Sequence, residues 1–85
     1  MQAPRPGSVT VYTTAWCGYC RRLKRLLDGA GIRYTEIDVE QVPEAAAYVM
    51  SVNDGNRTVP TVVFPDGSSL TNPSLDQVSA QLRAA

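Results

Sequence analysis

The chain has 85 residues, 44% hydrophobic and 19% charged, values of one globular domain rather than of a disordered or coiled-coil chain. Eight basic and eight acidic side chains cancel, so there is no overall pull towards nucleic acid or an anionic membrane surface. Histidine is absent, which excludes the Cys-His pair of thiol hydrolases, the Ser-His-Asp triad and a Cys₂His₂ zinc site together.

Met1 to Gly7 has no apolar stretch of the signal-peptide kind and reads as a flexible amino-terminal extension to a domain over residues 8–85. Ser8 to Thr13 alternates in the manner of a strand, with Val9 and Val11 on one face, and leads through Thr14-Ala15-Trp16 into Cys17-Gly18-Tyr19-Cys20. From Cys17 to Asp28 the leucines 23, 26 and 27 recur at helical spacing among Arg21, Arg22, Lys24 and Arg25. This predicts a helix with a basic solvent face, stopped by Gly29 to Gly31.

Ile32 to Val39 alternates again, Tyr34 and Glu36 on one face and Thr35 and Ile37 on the other, and predicts a strand parallel to the first through a right-handed crossover. Pro43 suits the first position of a second helix that runs through Ala45 to Val52 and ends at Asn53-Asp54-Gly55. Thr61 to Phe64 and Ser68 to Thr71 flank the turn Pro65-Asp66-Gly67 as an antiparallel hairpin. Ser74 and Gln77 have capping-box spacing at the start of a last helix whose stripe is Leu75, Val78 and Leu82. The order βαβαββα predicts an α/β fold, a four-stranded mixed sheet flanked by three helices. No apolar run approaches the roughly 18 residues of a membrane span. The expectation is a cytoplasmic monomer with no nucleic-acid or membrane partner.

In a reducing cytoplasm two cysteines three apart point to redox chemistry rather than to a staple. The chain-entropy model gives so short a loop only about 2 kcal/mol, and two thiolates leave a tetrahedral zinc half coordinated, so no metal site is assigned. A thiolate attacks disulfide sulfur, and Cys17 would stand at a helix amino terminus, where free N–H groups and the dipole favour an anion by about 0.3 to 2 kcal/mol. Cys20, one turn on and more buried, is expected to resolve rather than attack.

Trp16-Cys17-Gly18-Tyr19-Cys20 after the first strand, Thr58-Val59-Pro60 before the third and the βαβαββα order resemble the thioredoxin superfamily, specifically its glutaredoxin branch. Tyr12 to Cys20, Gly55 to Val62 and Leu70-Thr71-Asn72-Pro73-Ser74 are similar to the mycoredoxins, glutaredoxin-like enzymes that use mycothiol in place of glutathione. The resemblance implies that Pro60 is cis and lies against the cysteines, with the backbone of Val59 left to pair with a bound peptide or thiol. It places Trp16, Gly18, Tyr19, Thr58, Val59, Pro60, Asn72 and Ser74 around the bound thiol. Typical glutaredoxins carry two glycines and an aspartate where this chain has residues 71–74, and a basic residue where it has Thr13-Thr14. Mycothiol, an inositol-glucosamine-cysteine thiol without glutathione's two carboxylates, has less need of such charges.

The resemblance therefore implies reduction of S-mycothiolated proteins by a mainly monothiol route at Cys17. Mycothiol would be co-substrate, mycothiol disulfide reductase would act indirectly, and no cofactor would be tightly bound. Two alternatives stay open: a dithiol donor to ribonucleotide reductase that thioredoxin reductase reduces, and an iron-sulfur carrier. Trp16 reads equally as packing or as contact, and Arg57 as holding a carboxylate or as solvated. Tyr19 is expected to face solvent.

Overall fold

The computed structural model describes residues 3–85. Strand β1 (Ser8–Thr13) lies inside a sheet of order β2-β1-β3-β4. It pairs parallel with β2 (Arg33–Asp38), Val11 opposite Glu36, and antiparallel with β3 (Thr61–Val63), Val11 opposite Val62. Strand β4 (Ser69–Thr71) closes the other edge against β3. The α/β architecture, with helices α1 (Gly18–Gly29), α2 (Pro43–Val52) and α3 (Leu75–Ala84), is the one the periodicities predict. The strands are shorter by a residue or two than their apolar patterns, because Ile32, Val39 and Phe64 bury apolar side chains just beyond the ladder. Of the extension over residues 1–7, residues 1 and 2 lie outside the described residues. Further on, the Arg5 carbonyl accepts from Ser8 N–H and Oγ, at 3.0 and 2.9 Å.

Alternation along β1 divides the core between two faces. Val9 and Val11 pack with Leu23, Leu27, Val62, Phe64 and Val78, under α1 and α3. Tyr12 points the other way and packs with Val39, Ala45, Ala46, Val49 and Val63, under α2. On β2, Tyr34 supports the first cluster and Ile37 the second. The rings of Tyr12 and Tyr48 lie 5.3 Å apart. One expectation changes: Leu26, assigned to the buried stripe of α1, is 37% exposed. At 100° per residue it falls on the flank of the face that Leu23 and Leu27 share.

The ends of α1 fix where the cysteines stand. At its carboxyl end Gly31 adopts φ +70°, Ile32 N–H reaches the Leu27 carbonyl and Gly31 N–H that of Asp28, the two bonds of a Schellman motif. Ile32 then packs on the first cluster. At its amino end Cys17 is the cap, extended at φ −83° and ψ 110°.

Candidate active site

The cap at Cys17 is made by sulfur. Cys17 Sγ accepts from Cys20 N–H at 3.1 Å, the place a serine or aspartate oxygen takes at other helix starts. The same geometry supports a thiolate, since a charge there meets a backbone donor and the positive end of the dipole. Both cysteines are reduced and buried, Cys17 with a small open edge and Cys20 with none. Burial, with the hydrogen bond to the Cys17 side chain acting in the same direction, pushes the Cys20 thiol up to about 12. The Thr14 backbone and the Lys24 charge oppose that rise. Cys20 is therefore a thiol at neutral pH.

Raised acid groups have a thermodynamic signature. A group whose pKa is higher folded than unfolded leaves stability intact below its unfolded pKa and removes it as pH rises towards the folded value. Stability of the reduced protein should fall between about pH 8.5 and 12. Tyr12, Tyr34 and Tyr48, all raised chiefly by burial, push the same way. Urea unfolding of the wild type and of Cys20→Ala across that window isolates the cysteine: the variant should show the shallower decline, and equal slopes would contradict the assignment.

Val59-Pro60 is cis, as the resemblance implies, and brings the Val59 carbonyl oxygen 3.9 Å from Cys17 Sγ. Strand β3 begins only at Thr61, so the backbone of Val59 lies outside the ladder. An extended thiol peptide beside Cys17 would find an N–H and a C=O to pair with. Pro60 is buried, Val59 half-buried and Thr58 exposed. Asn72, at φ +47°, donates its N–H to the Pro60 carbonyl at 2.7 Å, which ties the segment before α3 to the proline. Ser74 caps α3 by a complete capping box with Gln77, at 2.8 and 3.1 Å. Its N–H is thereby occupied.

The two aromatic neighbours diverge. Tyr19, 65% exposed, lines a cleft of about 260 Å³ between α1 and the start of α3, with Arg22, Leu26, Asn72, Ser74 and Asp76. Trp16, 70% exposed, donates Nε1–H to Glu40 Oε1 at 3.1 Å on the opposite side. Its ring is thus held at the surface, and the packing alternative for Trp16 is set aside. Gly18 opens α1, and a methyl group there would meet only the Arg21 guanidinium, at 3.8 Å. Its backbone conformation needs no glycine. Arg57 is exposed and borders a groove with Glu40 and Met50.

One member of the basic face departs from expectation. Lys24, read from the pattern as solvated, pairs with Glu36 at 2.8 Å, and Thr13 Oγ1 donates to the same carboxylate at 2.7 Å. These bonds, Lys24 first, hold the Glu36 carboxyl below its usual range. The Lys24 ammonium and the Glu36 carboxylate therefore cancel each other, and a small positive influence is left at Cys20. Sequence pattern also passed over Glu40, which anchors Trp16, and Asn53, whose amide meets Thr61 and Thr71. The only signal for Asn53 was a polar residue ending an apolar helix.

The sequence model of the glutaredoxin family matches residues 9–69, from β1 through both cysteines and the cis-proline to β4. The chain belongs to the glutaredoxin family. A glutaredoxin-like protein of Mycobacterium tuberculosis is 60% identical over 75 residues, covering 88% of this chain and 89% of the relative. Mycoredoxin 1 of Corynebacterium glutamicum is 52% identical over 77 residues, covering 91% and 95%. Among solved structures, the glutaredoxin-like NrdH-redoxin from Escherichia coli superposes with a TM-score of 0.73 at 30% identity, covering 86% of this chain and 92% of that one. Membership of this glutaredoxin family and a cysteine held at a helix start agree on one chemistry, thiol-disulfide oxidoreduction. Among the described residues no helix is long and apolar enough to cross a membrane.

Proposed function

We propose that this glutaredoxin reduces mixed disulfides between proteins and mycothiol, in the cytoplasm, with residues 8–85 as the working unit. The observation that carries the reading is the lack of charge in the two segments where typical glutaredoxins carry it. Thr14 before the cysteines is buried and uncharged, and residues 71–74 before α3 carry no charge. In the cleft, the Tyr19 ring and the polar groups of Asn72 and Ser74 suit the ring faces and hydroxyls of a sugar thiol, and the one cation, Arg22, is matched by the one anion, Asp76. Similarity to Mycoredoxin 1 supports the same reading.

In the reaction, the Cys17 thiolate attacks the mycothiol sulfur of the mixed disulfide. The protein thiolate leaves and takes a proton, and Cys17 becomes disulfide-linked to mycothiol. A second mycothiol thiolate then attacks the mycothiol sulfur of that bond, releasing mycothiol disulfide and the Cys17 thiolate. The exchange spends one free mycothiol, and the two electrons that return mycothiol disulfide to two thiols come from NADPH through a mycothiol disulfide reductase.

A second reading rests on a specific contact. Cys20 is one turn from Cys17 with its N–H on the Cys17 sulfur, so it is placed to attack Cys17 in a mixed disulfide and close an internal bond. That dithiol cycle would suit a donor to ribonucleotide reductase. The oxidised protein should be reduced with consumption of NADPH by mycothiol plus its disulfide reductase, and slowly or not at all by thioredoxin reductase. Efficient turnover with thioredoxin reductase and none with mycothiol would reject the first reading in favour of the second.

A further inference from the structure

The carboxyl end of α2, the start of β3 and the edge strand β4 meet in a polar cluster that thiol exchange at Cys17 does not use directly. Asn53 follows the last residue of α2. Its Nδ2 donates to the Val49 carbonyl at 2.9 Å and to Thr61 Oγ1 at 3.1 Å. Thr71 Oγ1 donates to Asn53 Oδ1. Thr61 Oγ1 in turn donates to the Thr58 carbonyl at 2.7 Å. Thr61 is fully buried and stands opposite Thr71 in the ladder.

The polarity of this chain runs one way only. The Val49 carbonyl can only accept, so the amide must turn its NH₂ group inward and its oxygen outward. A hydroxyl has one proton; Thr61 gives it to the Thr58 carbonyl and must accept from Asn53. Thr71 is then left to donate to the amide oxygen. Every donor has one acceptor, and reversing any link would leave a buried group unpaired.

The last acceptor lies one residue before Val59, whose carbonyl faces Cys17. Asn72 N–H holds the Pro60 carbonyl from the other side. Thr58 and Pro60 are thus each tied down by a carbonyl, and Val59 between them is presented outside the ladder. We propose that Asn53 and Thr61 are positioning residues that pass a one-way relay of hydrogen bonds from β4 to the Thr58 carbonyl and so fix the peptide edge at Val59 on which a disulfide substrate docks. This rests on thiol exchange at Cys17 and not on the identity of the low-molecular-weight thiol.

The decisive variants keep shape and change hydrogen bonding. Thr61→Val removes the hydroxyl, and Asn53→Asp replaces the donor with an acceptor, whereas Thr61→Ser keeps the relay. Single-turnover reduction of two peptides, one carrying a mixed disulfide with mycothiol and one with glutathione, would be measured alongside alkylation of Cys17 by iodoacetamide, which needs no docking at Val59. For whichever peptide the wild type accepts, half-saturation in Thr61→Val and Asn53→Asp should rise about five- to tenfold, with maximal rate and alkylation within about twofold; Thr61→Ser should stay near wild type.

Leu82→Ala, at a half-buried position of α3, is a destabilised control that should leave half-saturation unchanged. If Thr61→Val fails to fold, Thr71→Val at the exposed end of the relay should still raise half-saturation at least about twofold and speed hydrogen exchange at the Asn72 amide. Unmoved half-saturation in folded variants, or alkylation falling in step with turnover, would overturn the proposal. A wild type that accepts only the glutathione peptide would reject the mycothiol reading and leave the relay to be judged on that peptide.

Discussion

Replacing Cys17 with serine should lower reduction of a mycothiolated protein by roughly a thousandfold or more, because a hydroxyl cannot become the nucleophile at neutral pH. Cys20 cannot take over. With its thiol pushed up to about 12, only roughly one molecule in 10⁵ would carry a Cys20 thiolate at pH 7, and its side chain has no exposed edge. Cys20→Ser should therefore retain the reaction, within about threefold, since the monothiol route never calls on that sulfur. What changes is the fate of the intermediate: without Cys20 the Cys17–mycothiol disulfide should accumulate when mycothiol is scarce. Intact-mass spectrometry distinguishes protein, mixed disulfide and internal disulfide directly. Equal loss in both variants would exclude the monothiol mechanism and favour the dithiol donor.

Phe64→Ala should be the most damaging of single core truncations. Phe64 is fully buried just after β3, in the cluster that joins the sheet to α1 and α3, and truncating such a ring costs about 3 to 5 kcal/mol. A domain of this length has about 4 to 13 kcal/mol in total, so the variant should lose much of its cooperative unfolding or unfold near room temperature. Leu26→Ala, on the cleft side of α1 and 37% exposed, should cost less than about 1 kcal/mol. Urea titrations of the two variants make the comparison. Similar midpoints would mean that the core is not organised around Phe64.

Most of the frame could be read from residue pattern. Alternation in Val9 and Val11, helical spacing in Leu23 and Leu27, Pro43 at a helix start and the capping box of Ser74 and Gln77 are all local signals, and each specifies its element within a few residues. Cys17 was legible for the same reason, since a cysteine opening a helix is a statement about neighbouring N–H groups. What pattern could not supply was pairing across elements. Lys24 looked solvated because Glu36, its partner, is twelve residues away, on strand β2 rather than on the helix. Trp16 could not be assigned a side until Glu40 was seen to hold its indole. Asn53 looked like a helix stop because Thr61 and Thr71 join it only when β3 and β4 pair. The cis bond at Pro60 came from family resemblance, as no local rule favours it.

The strand order leaves β2 and β4 at the rims of the sheet, and the rims bear on crowding. A bare strand rim recruits other copies of a chain when it is long, flat and apolar. Here β4 is three residues long, and β2 sets Arg33 and Glu36 at two of its three exposed positions, with Lys24 paired to Glu36. Charge and brevity thus guard the two places where polymerisation would start. The backbone of Val59, outside the ladder beside Cys17, thus stands apart from both rims.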